Sequence, residues 1–196
     1  MALLPDLLDA GVLELCRTEP KFHEGVLEAY EASYAEVHRW LVWAQEDPTP
    51  EDFWVDLQED NVRFEKNDGW RYVILERVSG LVVGWASLRP TESSDVVSIG
   101  YWVRTDRTRL GYASAATRCL TNAAFHHLAE VDRVEISMDR SNVASVAVPR
   151  KLAYRLDRET EYEPLTPAHT GRGFVWTIDR ASWTNANCLD ERAARI

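Results

Sequence analysis

The turn at residues 108–113 is the first stretch whose residue types could bind a charged group. It reads T-R-L-G-Y-A and lies between an apolar run, Ile99 to Val103, and an Ala-rich run with apolar residues at helical spacing. This pattern predicts a strand, a short turn and a helix that begins near Gly111. The first N–H groups of a helix lack partners inside it and carry partial positive charge, so such an end binds anions, phosphates above all. A glycine also serves turns that bind nothing.

A second polar cluster opens a later helix. Asp139 to Ser145 reads D-R-S-N-V-A-S, and apolar spacing continues to Leu152. Asn142 and Ser145 are three residues apart, so they share one face of the first helical turn. A carboxamide and a hydroxyl on that face suit hydrogen bonding to a ligand, whereas the alternative is that Ser141 or Asn142 is simply the N-cap.

Together the two stretches resemble motifs of the GNAT N-acetyltransferases, in particular the RimJ/RimL type that acetylates N-termini of ribosomal proteins. Residues 108–113 resemble motif A, Q/R-x-x-G-x-G/A, with Thr108 in place of Gln or Arg and Arg109 where many members have Gly. The run N-V-A-S-V-A-V-P-R-K-L-A-Y at 142–154 resembles the subgroup's N-x-x-S-x-x-V-x-x-K-L-G-[FY], with Ala153 in place of Gly. The order and separation of the two motifs also match the family.

The resemblance implies an α+β GNAT fold. Its mixed, mostly antiparallel sheet has seven strands with helices on both faces, and strands four and five splay apart. Acetyl-CoA, the acyl-donor cosubstrate, enters between those strands, and no metal is implied. Main-chain N–H groups of Arg109 through Ser114 would hold its pyrophosphate. The cofactor-binding residues that the resemblance implies are Val103, Thr108, Arg109, Leu110, Gly111, Tyr112, Ala113, Ser114 and Asn142.

The same resemblance implies that Asn142 and Ser145 take part in the reaction. Asn142 would bond the pantetheine arm, and the hydroxyl of Ser145 would give a proton to the thiolate leaving group. Tyr154 is an alternative donor. Many members carry Glu just before the I-G-Y-W run, where this chain has Ser98, so no catalytic base is transferred, and direct attack or a water relay is the default hypothesis. The remaining candidates for a base are Glu24, His38, Asp95, Asp139 and His169.

The elements that must position these residues follow from periodicity and turn signals. We expect strands at Val12–Thr18, Arg71–Arg77, Leu81–Leu88, Ile99–Val103, Arg133–Met138, Arg155–Glu161 and Phe174–Asp179. We expect helices at Phe22–Trp43, Glu51–Val62, Gly111–Leu128 and Asn142–Leu152. Thr49 is the expected cap of the second helix, with Pro50 in its first turn and a polar loop at 61–69 after it.

Two tryptophans near the end of the first predicted helix have two interpretations. Trp40 and Trp43 lie one turn apart and are either core residues, which we favour, or walls of an acceptor groove.

Two residues of the last helix depart from ideal helical chemistry. Pro149 removes one ladder bond and should bend the helix away from Ser145, and a left-handed Ala153 costs about 1 kcal/mol.

Length and composition favour one domain. The chain has 196 residues, 45% of them hydrophobic, which is enough for one core at about 12–183 and an extension at 184–196.

A formal net charge of -10 argues against nucleic acid or an anionic membrane as partner and suits an amine acceptor. The three cysteines are far apart without metal-ligand spacing, and no secretory signal or membrane span is visible, so we expect a cytoplasmic protein with reduced thiols. The family's frequent dimers suggest a homodimer.

Three functions remain open at this point. The first is direct transfer of acetyl from acetyl-CoA, in a ternary complex, to the α-amino group of a protein or peptide. The second is acetylation or succinylation of a small-molecule amine such as an antibiotic or a polyamine. The third is a non-catalytic acyl-CoA-binding regulatory module.

Overall fold

The structure is a computed structural model that describes residues 4–184. Its strands are β1 (Leu7–Asp9), β2 (Leu13–Arg17), β3 (Trp70–Glu76), β4 (Val82–Pro90), β5 (Val96–Val103), β6 (Arg133–Asp139), β7 (Arg155–Glu161) and β8 (Arg172–Asp179). Its α-helices are α1 (His23–Glu31), α2 (Tyr34–Trp40), α3 (Pro50–Lys66), α4 (Tyr112–His127) and α5 (Val143–Lys151). The strands form one sheet in the order β1-β2-β3-β4-β5-β6-β8-β7. Helices α4 and α5 pack on one face, and α1 with most of α3 on the other.

The neighbouring strands β5 and β6 are parallel and pair over only a short stretch. Val96 to Ser98 lie opposite Arg133 to Glu135, and beyond these residues the two strands separate. The other neighbouring strands in the described part of the chain are antiparallel. The α+β class, the mostly antiparallel sheet and the splayed pair of strands are therefore confirmed.

The predicted count of seven strands is wrong, because residues 4–184 contain eight. The additional strand, β1, pairs with β2 at one margin of the sheet, where Leu8 lies opposite Leu15. Three residues are too few to show an alternating pattern, so the sequence does not reveal β1. At the other margin, every residue of β7 is exposed or half-buried, and a bulge interrupts its pairing with β8 between Leu156 and Arg158.

The predicted helix Phe22–Trp43 is also wrong, because α1 and α2 are separate helices flanked by turns of 3-10 helix. The interruption lies at Ser33, which is buried and whose Oγ accepts a hydrogen bond from the N–H of Thr105 at 2.9 Å. Apolar spacing continues through it because Val26 of α1 and Val37 of α2 belong to the same buried cluster. Periodicity therefore shows which face is buried but not where the helix is interrupted.

The predicted start of α3 is confirmed. Thr49 and Asp52 form a capping box and Pro50 occupies the first turn. The helix continues to Lys66, so most of the polar loop predicted at 61–69 is helical. The turn signal in that stretch is correct, since Asn67 ends the helix in the left-handed conformation with a φ of 56°.

Two tryptophans, Trp85 on β4 and Trp102 on β5, lie buried on the α1 side of the sheet with ring centroids 5.5 Å apart. Beside this pair, Gly84 permits the close approach of the β4 and β5 backbones. Its φ is +140°, and a Cβ there would lie 2.1 Å from the carbonyl oxygen of Trp102, so only glycine fits. Because side chains alternate along a strand, Tyr101 faces the opposite side, where α4 packs.

None of the helices in the described part of the chain is long and apolar enough to cross a membrane. Cys16 and Cys119 are free thiols. Cys188 and the extension predicted beyond Thr184 lie outside the described residues.

Candidate active site

A cavity of about 670 Å³ opens where β5 and β6 separate. Its walls come from both strands, from parts of β4, β7 and β8, from the start of α5, from the segment at the end of α2, and from the loop between β7 and β8. Its polar wall residues are Ser87, Arg89, Tyr101, Ser137, Asp139, Asn142, Ser145, Arg158, Thr160, Tyr162 and His169. Both residues predicted to be catalytic, Asn142 and Ser145, therefore lie at the gap in the sheet.

Asn142 is the N-cap of α5. Its Oδ1 accepts a hydrogen bond from the N–H of Ser145 at 3.1 Å. This bond satisfies one free N–H of the first turn and fixes the carboxamide, whose NH₂ group can still donate to a ligand. The capping interpretation is confirmed, and the bond to pantetheine stays a prediction.

Tyr101 is a wall residue to which the sequence assigned no role. Its hydroxyl reaches across the gap to Ser145 and lies 3.1 Å from the serine Oγ and 3.2 Å from the serine carbonyl oxygen. Burial raises the pKa of Tyr101 to about 12, although the hydrogen bond with Ser145 acts in the opposite direction. Tyr101 is therefore protonated at neutral pH, and the two hydroxyls form a donor pair inside the cavity.

Tyr154, the alternative proton donor, lies outside this cavity. Its side chain is buried, and its hydroxyl shares a hydrogen bond of 2.7 Å with Thr121 Oγ1. Thr121 belongs to α4 and is itself buried, so the pair lies in the core between two helices. Tyr154 is a packed aromatic residue and not a donor at the gap.

The predicted anion site at the start of α4 has the expected backbone geometry. Gly111 has a φ of 82° and Arg109 a φ of 64°, so the chain makes two left-handed steps before the helix begins. The first N–H that bonds back into the helix belongs to Ala115, which donates to the Gly111 carbonyl at 2.9 Å. Within residues 4–184, no acceptor pairs with the N–H groups from Arg109 to Ser114. Six amides are thus free to bind a ligand, as a phosphate site requires.

Lys151 adds a positive charge beside these amides. Its Nζ lies 4.0 Å from the position that a Cβ on Gly111 would take. Lys151 ends α5 and its side chain is exposed. The sequence shows this lysine within the second motif, but only the fold brings it next to the first motif. The amides and the ammonium group together fit a diphosphate.

The sequence matches the acetyltransferase (GNAT) domain family over residues 19–155. The chain belongs to the GNAT acetyltransferase family. A sequence comparison with proteins of curated function found no match.

Solved structures confirm the fold of this GNAT acetyltransferase at low sequence identity. RimL, described as a ribosomal L7/L12 alpha-N-protein acetyltransferase in complex with coenzyme A, is 17% identical with a TM-score of 0.81, over 88% of this chain and 97% of that one. A putative ribosomal-protein-serine acetyltransferase from Vibrio cholerae is 19% identical with a TM-score of 0.74, over 90% and 99%. The microcin C7 self-immunity acetyltransferase MccE, in complex with acetyl-CoA and AMP, is 13% identical with a TM-score of 0.80, over 91% and 98%.

The tryptophans at the end of α2 and just beyond it line the cavity of the GNAT acetyltransferase and are not buried, so the core interpretation favoured for them is wrong. Trp40 and Trp43 are both wall residues, and Trp43 is 36% exposed. The ring of Trp43 lies 5.3 Å from that of Trp85. The helix ends at Trp40 and the chain continues as a 3-10 turn, which presents both rings to the cavity.

Only two of the five candidates for a base, Asp139 and His169, line the GNAT cavity. The carboxylate of Asp139 accepts hydrogen bonds from the N–H and Oγ of Ser141, the hydroxyl of Tyr162 and the N–H of Thr170. Burial acts to raise the pKa of Asp139, but these donors outweigh it and hold the pKa well below its usual range. Asp139 is therefore a structural anion and a weak proton acceptor.

His169 is engaged through both ring nitrogens. Its Nδ1 accepts from the N–H of Leu165 at 3.4 Å, and its Nε2 lies 3.1 Å from the carbonyl oxygen of Trp40. These partners fit a neutral ring with its proton on Nε2. The geometry ties the β7–β8 loop to the segment after α2 and leaves no free nitrogen to act as a base.

Proposed function

We propose that this N-acetyltransferase transfers the acetyl group of acetyl-CoA to the α-amino group of a protein or peptide by direct attack in a ternary complex. The observation that carries the proposal is the pair of hydroxyls, Tyr101 and Ser145, at the gap between the splayed strands. RimL, an alpha-N-protein acetyltransferase whose fold is shared, adds support.

The donor site would be built from the start of α4. The free amides from Arg109 to Ser114 and the ammonium group of Lys151 would bind the diphosphate, and the NH₂ group of Asn142 would donate to the pantetheine arm. Acetyl-CoA supplies a thioester whose carbonyl carbon accepts an amine. The residues therefore bind and orient the donor and need not form a covalent bond to it.

Ser145 would supply the proton for the leaving group. The amine nitrogen forms a bond to the carbonyl carbon, the carbon–sulfur bond breaks, and the thiolate takes the proton of Ser145 Oγ. Tyr101 replaces that proton through its 3.1 Å hydrogen bond and is restored from water, which also takes the surplus proton of the amine. An α-amino group has a pKa of about 7.7–8.0, so a sizeable neutral fraction exists without a strong base.

A panel of acceptors tests the proposal. Peptides with free N-termini, the same peptides with blocked N-termini, polyamines and aminoglycosides would be incubated with acetyl-CoA, and released thiol would be measured together with product masses. We expect thiol release and a gain of one acetyl group only with free N-termini. Turnover confined to small amines would exclude the peptide acceptor, and absence of thiol release with every amine would favour the non-catalytic alternative.

The aromatic wall favours a second candidate, a small amine that carries a flat ring. Trp40, Trp43 and Trp85 line the cavity, the first two with exposed ring surface, and MccE, which shares the fold, is known in complex with AMP. Aminoacylated nucleosides in the same panel distinguish this candidate. If they are acetylated and plain peptides are not, the second candidate replaces the first.

A further inference from the structure

Arg89 lies on the cavity wall, on the same face of β4 as Ser87 and Trp85. Its Nε donates a hydrogen bond to Ser87 Oγ at 3.3 Å. Its Nη2 lies 2.8 Å from the point that a Cβ on Gly100 would occupy, so the guanidinium crosses β5 at a residue without a side chain. A charged group is thus held flat against the α1 side of the gap, the side of the cavity that Trp85 also lines.

The charge of Arg89 is not neutralised by a neighbour. Among the described residues it forms no ion pair, and its hydrogen bond goes to a neutral hydroxyl. Asp60 is the acid whose charge acts on it, but the carboxylate of Asp60 is in contact with Arg71 at 2.7 Å. Partial burial against the wall and the charges of Arg71 and Arg63 lower the pKa of Arg89, which still stays protonated at neutral pH because an arginine does so throughout proteins.

We propose that Arg89 binds an anionic group, a carboxylate or a phosphate, that the acceptor carries close to its reacting amine. The inference rests on the proposed function and names the class of acceptor. The planar fork of an arginine matches either oxyanion with two parallel hydrogen bonds. The other charged groups on this wall already have partners, since Arg158 pairs with Glu135 at 3.2 Å and Asp139 is saturated with donors.

The position of Arg89 sets the distance between the reacting amine of the acceptor and its anionic group. Tyr101 follows Gly100 directly, but its side chain points to the opposite face of β5, where its hydroxyl meets Ser145. The guanidinium therefore lies on the order of 10 Å from the reacting centre, across the unpaired edge of β5. An extended peptide advances about 3.5 Å per residue. In a peptide acceptor the anion is therefore the side chain of Asp or Glu at the second or third position.

Charge complementarity explains why such an acceptor is favoured over a neutral one. An acceptor without an anion would cover Arg89 and remove water from it without giving it a partner, which costs free energy. An acceptor with both an amine and an anion is compatible with the net charge of -10, because only its local charge distribution has to match the wall.

The test compares matched peptides. Ala-Asp and Ala-Ala-Asp peptides are paired with the corresponding Asn peptides, and O-phosphoethanolamine is paired with ethanolamine. We expect kcat/KM of the wild-type enzyme to be about 10–100-fold higher for the Asp member of each pair. Arg89→Gln should bring this ratio close to 1, and Arg89→Glu should make a Lys peptide the better acceptor. Arg77→Gln, which removes an arginine that pairs with Asp9 and Glu14 at the β1–β2 margin of the sheet, should leave the ratio unchanged.

Two results would overturn the proposal: equal kcat/KM for Asp and Asn peptides in the wild-type enzyme, or an Asp preference that Arg89→Gln retains. The first needs no variant, so a folding defect in Arg89→Gln cannot obscure it. The experiment distinguishes failure of the role of Arg89 from failure of the proposed function. Peptides acetylated without an Asp preference support the function and refute the role of Arg89. Acetylation of O-phosphoethanolamine that depends on Arg89, with no acetylation of any peptide, supports that role and refutes the peptide acceptor.

Discussion

At the scale of single residues, the hydroxyl pair at the gap gives the most direct prediction. Ser145→Ala removes the proposed proton donor, and Tyr101→Phe removes the group proposed to restore its proton. We expect each to lower kcat, Ser145→Ala by about 10²-fold and Tyr101→Phe by about 10-fold, with a smaller change in the KM for acetyl-CoA. Steady-state kinetics with a saturating acceptor measures both constants.

Tyr154→Phe is the matched control for this pair. It removes a tyrosine hydroxyl that bonds to Thr121 in the core, away from the cavity. The variant should lose about 1 kcal/mol of unfolding free energy and keep its kcat. Equal losses of kcat in Tyr101→Phe and Tyr154→Phe would indicate a general effect on packing and would remove Tyr101 from the proton path.

Lys151 gives a prediction about the donor site. Lys151→Met keeps the aliphatic stem and removes the charge that lies beside the amides of α4. We expect the KM for acetyl-CoA to rise about 5–10-fold, with a smaller effect on kcat, because in the proposed complex the lysine contacts the diphosphate and not the reacting atoms. The wild-type KM should also rise more steeply with salt than that of the variant. Lys66→Met, at the exposed end of α3, is the control and should change neither constant.

Some of the site could be predicted from residue types and spacing, and some could not. Asn142 and Ser145 share a helical turn, so the proximity of their side chains follows from local geometry. Tyr101 and Lys151 reach the site through contacts between elements far apart in the sequence, and no local period encodes those contacts. Arg89 carries no signal at all, since it lies at the end of an ordinary buried strand.

At the scale of elements, the end of α5 stores strain that a substitution can release. Ala153 has a φ of 59°, as predicted, and Pro149 lies inside the helix without ending it before Lys151. We expect Ala153→Gly to raise the unfolding free energy by about 0.5–1 kcal/mol, because glycine adopts this conformation without a steric cost. Urea denaturation measures the change.

The control for that substitution is Ala147→Gly in the middle of the same helix, at an exposed position. There glycine should destabilise the protein by about 1 kcal/mol, because the backbone is helical and the unfolded chain gains freedom. If both substitutions destabilise, the left-handed residue is not strained.

Helices with a cap and strands with a strong alternation of apolar and polar residues were predictable. The break between α1 and α2 and the short edge strand β1 were not. Thr49 and Pro50 mark the start of α3 by local chemistry alone. The interruption at Ser33 depends on a hydrogen bond from Thr105, seventy-two positions away, and β1 exists only because β2 offers it an edge.

At the scale of the whole molecule, stability should depend on pH through Asp60. This residue of α3 is 8% exposed, and its Oδ2 lies 2.7 Å from Arg71 Nη1 without an aligned hydrogen bond. Burial raises the pKa of Asp60 to about 6, with Arg71 opposing and Asp56 adding to the shift, while Arg63 and Arg89 also act to lower it. Between about pH 4 and pH 6 the folded state therefore binds a proton that the unfolded state has lost.

The unfolding free energy should accordingly decrease as pH rises through that window, by an Asp60 contribution of about 3 kcal/mol in total. Asp60→Asn should remove this part of the slope, as measured by urea denaturation from pH 4 to pH 7. Asp68→Asn, an exposed acid in the turn after α3, should keep the wild-type slope. A variant profile parallel to the wild type would show that Asp60 ionises normally in the folded state.

The two margins of the sheet have a consequence for behaviour at high concentration. An unpaired strand edge is a template for intermolecular β-sheet and aggregation. Here one edge is only three residues long, and the other, R-L-D-R-E-T-E, combines five charged side chains with a bulge. Both edges are poor templates, so a fold that leaves two central strands unpaired over part of their length is still protected from polymerising through its outer strands.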